Sequence, residues 1–240
     1  MSQRLSNIVR SNDHVPSNAA LHVEVIADLI CPFCYLGKRR LDEALTAVRG
    51  PCEISWYPWE LNPTMPESGL SFNDYLASRF GSAVAVQPVL DGLATEGAKE
   101  GIEFRFDKIE TVPNTLKAHQ LMYLAEVEGV DQSALAEDLM KAFFAEGKNI
   151  GKREVLTDIA AQHGLQPEAV ERMLNDEKAK QVVLTREGQA RSSGIAGVPG
   201  FLLNRRLFLV GAQDPDSIVN AFDRAMFGEG TDRLVSPALN

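Results

Sequence analysis

Two cysteines stand three apart in Cys31-Pro32-Phe33-Cys34. If a helix begins there, both sulfurs lie on its first turn, close enough to form and break a disulfide. Unpaired N–H groups and the helix dipole at the start favour an anion, so the Cys31 thiolate should be stabilised. Pro32 suits the first helical position, which has no use for an N–H. Cys34 lies a turn deeper and should be less exposed, which suits a resolving thiol. The pair could also be two ordinary core cysteines. A structural zinc site is not expected: it needs four ligands, and Cys52, His14, His22, His119 and His163 show no metal-ligand spacing.

The flanking segments supply what redox chemistry requires. Leu21 to Leu29 alternates, with Leu21, Val23, Val25 and Ala27 on one face and His22, Glu24, Ile26 and Asp28 on the other, which predicts a strand. After the cysteines, Leu36, Leu41, Leu45 and Val48 follow helical spacing, with Arg39 and Arg40 as a solvated face and Gly50-Pro51 as the stop. A second strand is expected over Glu53 to Trp59. From about Ser71 to Arg191 the apolar stripes are helical: Ala118, Leu121, Met122 and Ala125; Leu135, Leu139, Ala142 and Phe143; Val155, Leu156, Ile159 and Ala160. Strand character returns in a hairpin, Gly200 to Leu203 and Arg206 to Val210 around Asn204-Arg205. Asp214-Pro215 then caps a last helix with Ile218, Phe222, Ala225 and Met226 on its apolar side. The order describes a small α/β sheet interrupted by helices. In Gly197-Val198-Pro199-Gly200 the proline either starts an edge strand from a turn or forms a cis peptide bond where the chain approaches something closely.

Composition bounds the rest. The chain has 240 residues, 45% of them hydrophobic, and a formal charge of −9. It is long enough for one domain with a sizeable insertion. The acidic balance argues against nucleic acid as a partner, because phosphate neutralisation needs a basic face. No apolar run approaches the roughly 20 residues that cross a bilayer, so no membrane span is expected. Three cysteines are too few for a secreted disulfide scaffold. Residues 1–20 read as a flexible tail without the apolar core of a secretory signal. Together these features point to a cytoplasmic protein.

With the cysteine pair after the first strand and Val-Pro before the hairpin, the order resembles a thioredoxin-like fold with a large all-helical insertion, the DsbA type. Asp28 to Arg40, Trp59-Glu60-Leu61-Asn62-Pro63, Asn114-Thr115 with Ala118-His119, Gly194 to Pro199 and Val210-Gly211-Ala212-Gln213 resemble the FrnE-like branch. That branch is similar to 2-hydroxychromene-2-carboxylate isomerases and kappa-class glutathione transferases. The resemblance implies a tail (1–20), a thioredoxin-like domain (21–65 and 192–228) and a helical insertion (66–191). It implies a nucleophilic Cys31, a resolving Cys34 and a cis Pro199. Pro32, Phe33 and Val198 would meet an extended peptide or thiol substrate.

The isomerase and transferase relatives carry serine where this chain has Cys31. Keeping both thiols therefore points to dithiol–disulfide exchange, as reductase or isomerase, on a protein disulfide or small thiol. No cofactor is expected to be bound, with glutathione as a candidate redox partner. Phe33 replaces the histidine of strongly oxidising relatives, so a less oxidising couple is expected. Asn114, Thr115 and His119 either line a substrate groove or are a plain helix cap and a surface histidine. Cys52 reads as a buried small hydrophobe. Two other readings stay open: a glutathione-dependent isomerase or transferase acting on a small aromatic compound, and a redox-regulated chaperone. The oligomeric state is left open, a dimer included.

Overall fold

The computed structural model describes residues 21–228, so the expected tail at 1–20 lies outside the described residues. Those residues divide into two compact units, 21–59 with 184–228, and 60–183. The helical unit therefore starts and ends earlier than the 66–191 expected.

The first unit is built on a four-stranded sheet in the order β2-β1-β5-β6. Strand β1 (Leu21–Ala27) runs parallel to β2 (Cys52–Pro58), with Val25 opposite Trp56. On its other side it runs antiparallel to β5 (Gly200–Leu203), with Val25 opposite Phe201, and β5 turns into β6 (Leu207–Val210). Sequence alternation marks β1, whereas β5 and β6 are short continuous apolar runs, and β1 and β5 are buried on both faces. The turn is made by Asn204 and Arg205, at φ 46° and 56°. Two consecutive positive φ angles match the strand twist, and asparagine tolerates them. Asn204 is also held by its own amide, whose Oδ1 accepts from the His22 N–H at 2.7 Å.

Helix α1 (Pro32–Leu45) follows β1 directly. It stops at Leu45, earlier than Gly50-Pro51, because its last carbonyls are taken by tighter bonds: Ala47 N–H to Ala44 and Val48 N–H to Leu45, both at 3.1 Å. Nor are Arg39 and Arg40 a free solvated face. Both are half-buried, and Arg40 Nη1 donates to the Ala212 carbonyl at 2.8 Å. The last helix, which closes the unit, spans Pro215–Phe227; its cap Asp214 accepts from the Ser217 N–H at 2.9 Å. It packs on α1 and on β1, β5 and β6, burying Ile218, Ala221, Phe222 and Ala225.

The second unit holds α2 (Phe72–Phe80), α3 (Ala83–Lys99), α4 (Leu116–Glu128), α5 (Gln132–Phe144), α6 (Arg153–Gln162) and α7 (Pro167–Asn175). Its core collects Leu121, Leu135, Leu139, Phe144, Leu156 and Val170. A two-stranded ladder joins β3 (Leu70–Ser71) to β4 (Thr111–Val112) within this unit. Helical periodicity did not indicate it, since each strand is two residues long. Helix α8 (Glu177–Ser192) starts in the second unit and ends in the first, followed in chain order by α9, the Pro215–Phe227 helix. The boundary falls inside α8 because its second half packs on the end of β2. Arg186 lies 5.8 Å from the Tyr57 ring centroid and Arg191 4.0 Å from that of Trp59.

Among the described residues no helix is long and apolar enough to cross a membrane. Phe201 has no solvent exposure. Phe201→Ala should lower the unfolding free energy by about 3–5 kcal/mol, read from urea denaturation, through lost burial and the cavity it leaves.

Candidate active site

Chain order alone brings both thiols to the end of β1. After Ala27 the chain turns once, with the Cys31 N–H bonded to the Asp28 carbonyl at 3.2 Å. Cys31 is then the cap residue of α1, in extended conformation, and Pro32 fills the first helical position. The Cys31 carbonyl accepts from Cys34 N–H at 3.0 Å and Tyr35 N–H at 3.2 Å, which starts the helix. No side chain caps this end. Pro32 carries no N–H and those of Cys34 and Tyr35 go to the Cys31 carbonyl, so in this first turn only the Phe33 N–H lies outside that bonding.

Both cysteines are free thiols and both are buried, Cys31 at 4% exposure and Cys34 at 1%. The expected contrast between them is therefore small. Between them Phe33 stands out at 49% exposure. Burial pushes the Cys34 thiol well above its ordinary value; its hydrogen bond to Cys31 and the charges of Cys31 and Asp28 push the same way.

Asp28 was not singled out from the sequence as a site residue. It is fully buried, its Oδ1 accepts from the Ile30 N–H at 3.4 Å, and its charge reaches Cys34. An acid that ends an apolar strand three residues before the first cysteine was the available signal.

The other half of the site arrives with β5. The Val198–Pro199 peptide bond is cis. Pro199 is buried, Val198 half-buried, and the Pro199 carbonyl accepts from the Gly211 N–H at 2.7 Å. The proline ring lies on α1 at Gly37, where an added Cβ would fall 2.8 Å from Pro199 Cγ and 3.2 Å from Phe201 Cζ. Gly37 is three residues beyond Cys34 on the same helix face. Cys34 and Pro199 therefore approach the same side of α1.

The second unit carries Asn114, Thr115 and His119. Asn114 Oδ1 accepts from the Leu116 N–H at 3.0 Å, and its Nδ2 donates to the Met65 carbonyl at 2.9 Å. Thr115, the cap residue of α4, and His119 are buried, so the surface reading of His119 does not hold. Cys52 is half-buried at the start of β2, less enclosed than expected; burial and then the Glu53 charge raise its thiol. Among the described residues no cluster of histidine, cysteine and acids could hold a metal ion.

A strand, a CxxC at the start of the next helix, and a proline before an antiparallel hairpin make up the working half of a thioredoxin fold. The model of the DSBA-like thioredoxin domain matches residues 22–223, and the chain belongs to that family. It is 28% identical over 145 residues, 60% of its length and 67% of theirs, to the uncharacterized YwbO of Bacillus subtilis. A probable DsbA oxidoreductase of Streptomyces coelicolor is similar in structure at TM-score 0.80 and 28% identity, covering 90% of this chain and 94% of that one. The cytosolic disulfide reductase DsbM of Pseudomonas aeruginosa with GSH is similar at TM-score 0.57 and 20% identity, over 85% and 95%.

The raised Cys34 thiol has a sign in stability. Its folded value lies above the unfolded one, so its contribution is intact below the unfolded value, about 8.5, and is lost as pH rises above it. Against a Cys52→Ala background, the unfolding free energy should fall between about pH 8 and pH 10, by up to about 1.4 kcal/mol per pH unit. Adding Cys34→Ala should flatten that slope in urea titrations.

Proposed function

We propose that this protein is a thiol–disulfide oxidoreductase that reduces or isomerises disulfides in a reducing cytoplasm, with Cys31 as nucleophile and Cys34 as resolving thiol. The observation that carries this reading is the placement of Cys31 as the uncapped start of α1 with Cys34 buried behind it. The Cys31 thiolate attacks one sulfur of a substrate disulfide; the substrate S–S bond breaks, and the leaving sulfur takes a proton. Cys34 then gives up its proton and attacks Cys31 Sγ, closing the Cys31–Cys34 disulfide and releasing the second substrate thiol. Substrate gains two electrons and the protein loses two. Two molecules of glutathione, oxidised to the disulfide, return the pair to dithiol.

The environment of the thiols supports these roles. Burial keeps Cys34 protonated until it is needed. Asp28, the buried carboxylate whose charge Cys34 already feels, is placed to take the Cys34 proton. Because Cys31 itself is only 4% exposed, substrate has to dock across Pro32, Phe33 and Val198 with its disulfide presented directly. DsbM is named a cytosolic disulfide reductase and was solved with GSH, in keeping with glutathione as the reductant here.

Insulin reduction with glutathione should fall to the uncatalysed rate in Cys31→Ser. Cys34→Ser should instead accumulate a mixed disulfide with insulin, visible on a non-reducing gel. Equal activity of Cys31→Ser and wild type would sink the reading and favour a glutathione-dependent isomerase or transferase.

A further inference from the structure

The helical unit contains a cavity of about 450 Å³ that the thiol chemistry does not use. Its wall collects the first turns of three helices. Leu116 and Lys117 open α4, Arg153 opens α6 and Glu177 opens α8. Each such end carries a partial positive charge on its N–H groups, and at α8 Asp176 Oδ1 accepts from the Lys178 N–H at 2.8 Å. The caps of α4 and α6, Thr115 and Lys152, make no side-chain bond to those groups; only the Leu116 N–H is met, by Asn114. Three cations, Lys117, Arg153 and Lys180, line the same space.

Every one of these cations has a carboxylate partner, but the partners are placed unequally. Lys117, 20% exposed, pairs at 2.5 Å with Glu67, which is 82% exposed. Arg153 pairs with Glu171 at 2.8 Å and Lys180 with Glu177 at 3.5 Å, again with the acid the more exposed member. In each pair the cation is the less exposed member, and two of the carboxylates, Glu67 and Glu177, line the cavity beside the cations. Glu67 shows what the cavity favours: the hydrogen bond and charge of Lys117 hold its carboxyl below the usual range, with Arg153 and Lys180 adding to the effect. The C-terminal end of α7 also reaches the wall through Leu174 and Asn175, yet Asn175 Oδ1 is already taken by Arg153 Nη2 at 2.8 Å.

We propose that this cavity is a binding site for a small di- or tricarboxylate, one carboxylate of which replaces Glu67 on Lys117 while the others meet Arg153 and Lys180. Carboxylate is favoured over other oxyanions because a carboxylate already sits on Lys117. The volume suits a molecule of that size. This site is independent of the thiol reading, and neither cysteine enters its test.

The test is calorimetric titration with citrate as the probe, in low salt, on wild type, Glu67→Gln, Lys180→Gln and the double variant Lys117→Gln/Lys180→Gln. Wild type should bind citrate, and affinity should fall as salt rises. Glu67→Gln, which removes the internal competitor, should bind about tenfold more tightly, and Lys180→Gln about tenfold more weakly, with a larger loss in the double variant. Circular dichroism and melting establish that each variant is folded; should the double variant not be, Lys180→Gln alone decides. Absence of binding in both wild type and Glu67→Gln, unchanged affinity in Lys180→Gln, or tighter binding of inorganic phosphate than of citrate would overturn the proposal.

Discussion

The first unit depends on one close approach. At Gly37 the backbone of α1 lies against the Pro199 ring with no room for a side chain between them. That contact is one side of a closed circuit. The Pro199 carbonyl is bonded to the Gly211 N–H, and the carbonyl of the following residue, Ala212, accepts from Arg40, three residues beyond Gly37 and so close to one helical turn along. Helix α1 is thus joined twice to segments far along the chain, once by packing and once by a hydrogen bond. The two contacts flank the same helical turn and fix where the segment Val198-Pro199 lies along α1.

The thiols inherit their chemistry from this arrangement. A CxxC in an isolated peptide would have two solvated sulfurs with similar properties. Here the sheet ends where α1 begins, so the cap residue and the fourth residue of the motif meet different surroundings. Cys31 is the cap residue at the helix start. Cys34, on the inward side of the turn, is packed away from water near the charge of Asp28, so its anion is disfavoured. One fold element therefore gives two identical side chains different surroundings. Phe33 lies exposed between them.

What could be read from the sequence is what local rules decide. The alternation in β1, the Cys-Pro start of α1, the Asn204 turn and the Asp214-Pro215 cap each act within a few residues, and each lies where it was expected. Features set by distant packing were not legible. Helix α4 buries His119 and Gln120 along with Ala118, Leu121, Met122, Leu124 and Ala125, because its neighbours enclose it on several sides. A polar residue on such a helix gives no signal in a stripe analysis. The unit boundary was misplaced for a related reason: α8 is one uninterrupted helix, and only the rings of Tyr57 and Trp59, more than a hundred positions earlier in the chain, give its second half to the sheet unit. Asp28 was visible as an acid but not as a site residue, since its effect runs through the burial of Cys34 rather than through spacing.

The balance of charge shows the same limit from another side. A formal charge of −9 is a sound argument against a general polyanion binder, because such partners sample the whole surface. It says little about a cavity. At physiological ionic strength a charge is screened over about 8 Å, so the potential inside a small cavity is set by its own wall. In the helical unit that wall holds Lys117, Arg153 and Lys180 together with Glu67 and Glu177, and in each ion pair the acid is the more exposed member. An acidic protein can therefore hold an anion, provided its cations are anchored more deeply than its carboxylates. It is this difference in burial, invisible to a count of residues, that separates a surface that repels small anions from a cavity that admits one.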